Sequence, residues 1–87
     1  MPRVVIPPLM RDLTAGQACV TVAGRTVREV LDCLETAFPG TRERLLDKEG
    51  LRSDIWVAVD GEITPSGLLT EIAENSELSF VPAIEGG

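Results

Sequence analysis

The sequence predicts an α+β domain in which a mixed sheet of four to five strands carries one main helix packed across one face. Three observations predict it. One long run, Val27 to Phe38, places apolar residues at helical spacing. Short β-branched or alternating segments stand on both sides of that run. The chain has 87 residues, and a chain of that size buries only about 60–65% of the surface its unfolded form exposes, so it holds one modest core.

The elements follow in order. Arg3 to Ile6 is β-branched and short, and reads as the first strand. Pro7 and Pro8 end its ladder because neither can donate a backbone N–H. Leu9 to Gln17 reads as a polar loop with a turn at Gly16. In Ala18 to Ala23, Ala18, Val20 and Val22 fall on one face and Cys19 and Thr21 on the other. That alternation predicts a half-buried second strand, paired with the first as a hairpin.

The helix has the clearest signature. Thr26 and Glu29 have capping-box spacing ahead of Val27, Val30, Leu31, Leu34 and Phe38, which share one helical face. Arg28, Asp32, Glu35 and Thr36 take the outer side, Cys33 the margin of the apolar stripe, and Pro39-Gly40 stops the helix. Thr41 starts a short turn that carries Leu45 and Leu46 inward. Ile55 to Val59 is the third strand, with Ile55, Val57 and Val59 opposite Trp56 and Ala58. Both sets are apolar, so both faces are expected to be covered. Asp60-Gly61 is a hairpin turn, Glu62-Ile63 a short return strand and Thr64-Pro65-Ser66-Gly67 a loop. Leu68 to Ala73 reads as a short helical turn or irregular crossover. Glu77 to Val81 is the last strand, with Leu78 and Phe80 facing one way and Pro82 ending it. A last strand lying beside the first makes the sheet mixed, which is the β-grasp, or ubiquitin-like, arrangement. Residues 1–82 form the domain, and residues 83–87 a flexible di-glycine tail.

Composition narrows the function. Apolar residues make up 44% and charged residues 25%, which are globular values. Fourteen acidic residues against eight basic ones leave a charge of −6. Without a basic patch there are no counterions to release, so nucleic acid is not the expected partner; a partner with a basic surface is. No apolar run approaches the roughly 18 residues of a membrane helix and no signal peptide opens the chain, so no membrane contact and a cytoplasmic location are expected. There is no histidine, which leaves no expected metal site and no base for Ser53, Ser66, Ser76 or Ser79. Asp47, Glu49, Asp54 and Asp60 read as a solvated face around a turn. Cys19 and Cys33 form no CxxC and read as small semi-buried apolar side chains. No catalytic constellation emerges, and the chain is not expected to be an enzyme.

The remaining feature is the Gly86-Gly87 end. One reading is a floppy terminus. The other is a tail that threads a narrow slot, since glycines lack the Cβ that would keep a channel from closing around the backbone. The reactive group would then be the Gly87 carboxylate. A carboxylate is a poor electrophile; adenylation supplies a leaving group, and a sulfur donor then yields a thiocarboxylate.

With these residues in view, the whole chain resembles the ThiS/MoaD family of ubiquitin-like sulfur carrier proteins. Val59-Asp60-Gly61-Glu62 is similar to the family's strand–turn segment. Ser76-Glu77-Leu78-Ser79-Phe80-Val81-Pro82-Ala83-Ile84-Glu85-Gly86-Gly87 is similar to its last strand, Pro-containing tail and di-glycine end. Asn75-Ser76 replaces the Gly-Asp turn common in relatives, and Glu85 a small residue. Pro7-Pro8-Leu9-Met10-Arg11 and Thr14-Ala15-Gly16-Gln17 resemble the cysteine-synthase-associated branch. The resemblance implies that Gly87 carries the sulfur, that Ile84, Glu85 and Gly86 thread the tail, and that Trp56, Ala58 and Val81 dock partners. Those partners are an adenylating enzyme of the ubiquitin-activating type, which uses ATP, and an acceptor synthase. The acceptor is similar to cysteine synthase, thiazole synthase or the large subunit of molybdopterin synthase. No cofactor is expected to stay bound. A ubiquitin-like modifier joined to lysine through Gly87, and a non-reactive β-grasp interaction module, share the same fold.

Overall fold

The computed structural model describes residues 1–48 and 50–82. Five strands form the main sheet: β1 (Arg3–Val5), β2 (Cys19–Thr21), β5 (Ile55–Val59), β6 (Glu62–Ile63) and β7 (Glu77–Pro82). Their spatial order is β2-β1-β7-β5-β6. β1 and β7 are parallel and the other pairs antiparallel, so the sheet is mixed and the arrangement is a β-grasp. Between β2 and β5 come helix α1 (Val27–Ala37), the single-turn helix α2 (Thr41–Leu45), and a two-stranded ribbon of β3 (Leu46–Asp47) and β4 (Gly50–Leu51).

The capping box forms as its spacing predicts. The Glu29 amide donates to the Thr26 hydroxyl at 3.2 Å, and the Glu29 carboxylate accepts from the Arg25 amide at 3.3 Å. The buried face of α1 is Val27, Val30, Leu31 and Leu34. It packs with Val4, Ile6, Val20, Val22, Val57 and Leu78 from the β1–β2 hairpin, β5 and β7, and Met10, Leu45 and Ile72 close the margins of the core. Glu35, near the end of α1, accepts from the amides of Gly40 at 3.1 Å and Arg42 at 3.0 Å. One carboxylate thus satisfies orphan N–H groups at the start of α2 and joins the two helices.

Three expectations are corrected. The loop after β1 is not simply polar: Pro8–Met10 forms a 3₁₀ turn, and Met10 and Thr14 are buried. Thr14 tolerates burial because its hydroxyl donates to the Gln17 carbonyl at 2.8 Å. The β3–β4 ribbon was hidden by its composition, since Asp47, Lys48 and Gly50 have low strand propensity. Cys19 is exposed on the edge strand β2, Cys33 is half-buried, and both are free thiols.

The turn at Asp60-Gly61 ties the sheet together. Both residues have positive φ, +52° and +86°, as a tight two-residue hairpin requires. The Asp60 amide donates to the Glu77 carbonyl at 2.8 Å. Its carboxylate accepts from the Glu77 amide at 2.9 Å and the Ser76 hydroxyl at 3.0 Å. These bonds, the Glu77 amide first, hold the Asp60 carboxyl below the ordinary aspartate range.

Two outcomes are expected. Asp60 titrates lower in the folded chain than in the unfolded one, so its contribution to stability is full above the ordinary aspartate value. It is lost as pH falls through the lowered folded value. Asp60→Asn should therefore melt below wild type at neutral pH, with the gap narrowing on acidification; a gap constant with pH would show that the charge is irrelevant. Gly24, at φ +149°, lies against the first turn of α1, where an added Cβ would stand 2.7 Å from the Val30 amide nitrogen. Gly24→Ala should cost about 1–3 kcal/mol in denaturant unfolding, the range for overpacking.

Candidate functional site

Alternation in the strands leaves one sheet face opposite α1. Trp56 and Ala58 on β5, Ser79 and Val81 on β7, and Val5 on β1 fall on that face, because their neighbours Val57, Leu78 and Val4 point into the core. The register places Trp56 opposite Val81 and Ala58 between Ser79 and Ile63. Trp56 is 43% exposed and Ile63 49%, so the face carries an apolar patch at its β5–β6 side. The far end of β1 and β7 is charged, with Arg3 donating to Glu77 at 3.0 Å.

The structure brings together the three residues expected to dock partners but does not treat them alike. Trp56 projects and Val81 is half-buried. Ala58 lies on the expected face yet is only 4% exposed, because its methyl is too short to rise above the flanking strands. It forms the floor of the patch. Nor is β5 covered on both faces: α1 covers the side of Val57, and among the described residues nothing buries Trp56. Sequence reasoning missed Ile63. A two-residue turn at Asp60-Gly61 forces Val59 opposite Glu62 and therefore Ala58 opposite Ile63, and that register was the available signal.

β7 is also the last described element of the chain. Pro82 still pairs with Ile55 at the end of the ladder. Ile84, Glu85, Gly86 and Gly87, expected to thread and to react, lie outside the described residues. Beside the end of β7 is a largely apolar groove of about 480 Å³, bounded by the Pro8–Met10 turn, α2 and the ends of β5 and β7. Leu45, Ile55, Phe80 and Val81 line it, with Arg44 and Arg52 at the same site. Arg44 donates to the Leu9 carbonyl at 3.1 Å and pairs with Asp12 at 3.4 Å; Arg52 pairs with Asp54 at 3.4 Å. A second cleft, about 600 Å³, opens at the opposite end of the sheet around Met1, Gly24 and Glu71, away from Pro82.

Among the described residues no three His, Cys, Asp or Glu side chains are grouped to hold a metal ion, and no helix is long and apolar enough to cross a membrane. What the geometry offers is a sheet face with an exposed apolar patch at Trp56 and Ile63 and, on the same sheet, the end of β7 at Pro82.

Comparison with known proteins bears on the chain as a whole. A sulfur carrier protein, CysO, from Mycobacterium tuberculosis is 34% identical over 89 residues, covering 97% of this chain and 96% of the relative. The crystal structure of the Amycolatopsis orientalis BexX/CysO complex contains a chain that matches with a TM-score of 0.90 at 34% identity, with both chains covered in full. The small archaeal modifier protein 1 of Haloferax volcanii has a TM-score of 0.68 at 28% identity, over 95% of this chain and 97% of that one. The model of the ThiS family matches residues 5–87, from the first strand through the di-glycine. With a fold, a relative and a family match that each span nearly the whole sequence, this chain belongs to the ThiS family.

Proposed function

We propose that this chain is a sulfur carrier protein whose working group is the carboxylate of Gly87. The observation that carries the reading is the family match running through Gly86-Gly87, together with identity to CysO along almost the whole chain. Residues 1–82 are the handle and residues 83–87 the carrier arm. An adenylating enzyme of the ubiquitin-activating type joins the Gly87 carboxylate to AMP from ATP. A sulfur donor then displaces AMP to leave a thiocarboxylate, and a partner synthase takes the sulfur. The likeness to CysO favours cysteine biosynthesis over the molybdopterin and thiazole routes. The carrier holds no cofactor of its own and is acted upon rather than acting. A cytoplasmic location fits activation by ATP.

Two features of the fold support this reading. β7 is the sheet's central strand, and a ladder on both sides holds it, as far as Pro82 opposite Ile55 on the β5 side. The apolar patch at Trp56 and Ile63 lies on the free face of the same sheet, which gives a partner a surface to hold while the tail enters its active site. A second reading, a protein modifier ending in an isopeptide bond to lysine, is favoured only by the likeness to the archaeal modifier. Intact-mass analysis separates the two. Exchange of oxygen for sulfur at the terminus marks the carrier, and a ladder of conjugates marks the modifier.

Two predictions follow the proposed chemistry. Adding one residue after Gly87 moves the carboxylate about 3.3–3.6 Å past the nucleotide, and a misplacement of even about 1 Å can cost about 10²-fold in rate. The extended variant and Gly86→Val should melt like wild type and lose ATP-dependent pyrophosphate release with the cognate activating enzyme. Wild-type adenylation of an extended variant verified as uncleaved would end the carrier reading. Trp56→Ala should weaken binding to the cognate synthase by about 2 kcal/mol, roughly thirtyfold, as truncation of an interface tryptophan does. Titration calorimetry beside a thermal melt checks this; a large loss of stability with unchanged binding would make Trp56 structural.

A further inference from the structure

Of the five aspartates in the chain, only Asp60 precedes a glycine. That neighbour matters chemically. The amide nitrogen of the residue after an aspartate can attack the side-chain carboxyl carbon, and a glycine there has no Cβ to crowd the approach. The surroundings do not crowd it either. A Cβ placed on Gly61 would meet no atom within 4 Å, and Asp60 and Gly61 are both exposed to water. Three hydrogen bonds oppose the attack. The Asp60 amide donates to the Glu77 carbonyl at 2.8 Å, Oδ1 accepts from the Glu77 amide at 2.9 Å, and Oδ2 accepts from the Ser76 hydroxyl at 3.0 Å. Both carboxylate oxygens are therefore held at the start of β7. Ser76 is itself fixed there: it is 4% exposed, and its amide donates to the Ala73 carbonyl at 3.1 Å.

We propose that Asp60-Gly61 is a site of spontaneous isomerisation to isoaspartate, and that Ser76 and Glu77 hold the reaction in check in the folded domain. In the first step the Gly61 nitrogen attacks Asp60 Cγ and a C–N bond forms. The carboxyl hydroxyl leaves with the amide proton as water, closing a five-membered succinimide one water lighter than the chain. Water then opens the ring at one of its two carbonyls. Addition at Cγ restores aspartate. Addition at the α-carbonyl breaks its bond to the Gly61 nitrogen and leaves the main chain running through Cγ, with the original mass. The clamp opposes the first step twice. Cγ has to leave Ser76 and Glu77 before the Gly61 nitrogen can reach it. The hydroxyl that must leave exists only on the protonated carboxyl, whereas the Glu77 amide, the Ser76 hydroxyl and, more weakly, Arg3 keep this group ionised below the ordinary aspartate range. The product alters the sheet. An isoaspartate adds a main-chain methylene to a two-residue turn that sets Val59 opposite Glu62 and Ala58 opposite Ile63, so it acts on the register beneath the exposed patch.

The test is an ageing experiment. Wild type, Ser76→Ala and Gly24→Ala are aged folded, and wild type is also aged in denaturant, at one mildly acidic pH and a temperature well below each melt. Peptide mapping with enzymatic methylation of isoaspartate measures the yield at residue 60. Deamidation of Asn75, the chain's one asparagine, changes the mass and is told apart. No activating enzyme is used, so the result stands apart from the reading of Gly87. Denatured wild type is expected to isomerise at Asp60 roughly tenfold or more faster than the folded chain. Folded Ser76→Ala is expected to be faster than folded wild type by up to roughly tenfold, the factor that one lost hydrogen bond to a charged group carries. Gly24→Ala, whose added Cβ meets Val30 and no clamp residue, is expected to age like wild type. The proposal is overturned if denatured wild type forms no isoaspartate at Asp60 or forms it no faster than the folded chain. It is also overturned if Ser76→Ala ages like wild type, or if Gly24→Ala speeds the reaction as much as Ser76→Ala, which would assign the protection to global stability and not to the clamp.

Discussion

The double ladder of β7 is the constraint on which the rest of the molecule depends. This strand is hydrogen-bonded to β1 on one side and β5 on the other, in opposite senses. The parallel side joins the first strand to the last across nearly the whole sequence, a contact with a high loop-closure cost. The antiparallel side is local by comparison, and the Asp60 carboxylate clamps its start by accepting from both Ser76 and Glu77. Once that clamp sets the register, Leu78 must face α1 and Ser79 and Val81 must face away, since a slip of one residue would exchange the two faces. The same register brings Pro82 opposite Ile55 at the end of the ladder.

A carrier needs little else from its fold. The proposed chemistry acts on a backbone carboxylate, so it requires no activated side chain, and the absence of histidine from the sequence costs it nothing. On the proposed reading the domain has two tasks, to give residues 83–87 a rigid base and to offer partners a surface to hold. The core supplies the first: Val4, Leu34, Leu78 and their neighbours are closed to solvent, and each such side chain contributes about 1.5–3 kcal/mol on burial. The free sheet face, where Trp56 and Ile63 remain about half exposed, is the surface proposed for the second. Charge follows the same economy. Surface pairs such as Arg3–Glu77 and Arg42–Asp32 are exposed and contribute little to stability. The acidic excess therefore matters more for the approach of partners than for the fold.

Much of this was legible in the order of residues. The spacing from Thr26 to Phe38 determined a capped amphipathic helix and its buried face, because helical period and cap chemistry are local. Asp60-Gly61 determined a tight hairpin, because few residue pairs accept positive φ twice in succession. The di-glycine and the strand before it pointed to the family that the whole-chain comparison shows. Tertiary structure decided what depends on neighbours distant in sequence. Met10 and Thr14 became core because α1 and α2 leave a margin that the first loop closes, although nothing in their local pattern is periodic. Ala58 and Trp56 alternate identically in sequence, yet one is floor and the other projects, since side-chain height above the flanking strands decides exposure. The meeting of Arg44 and Arg52 beside Val81 was likewise invisible along the chain, because it arises only when α2 and the residues leading into β5 close over the end of β7.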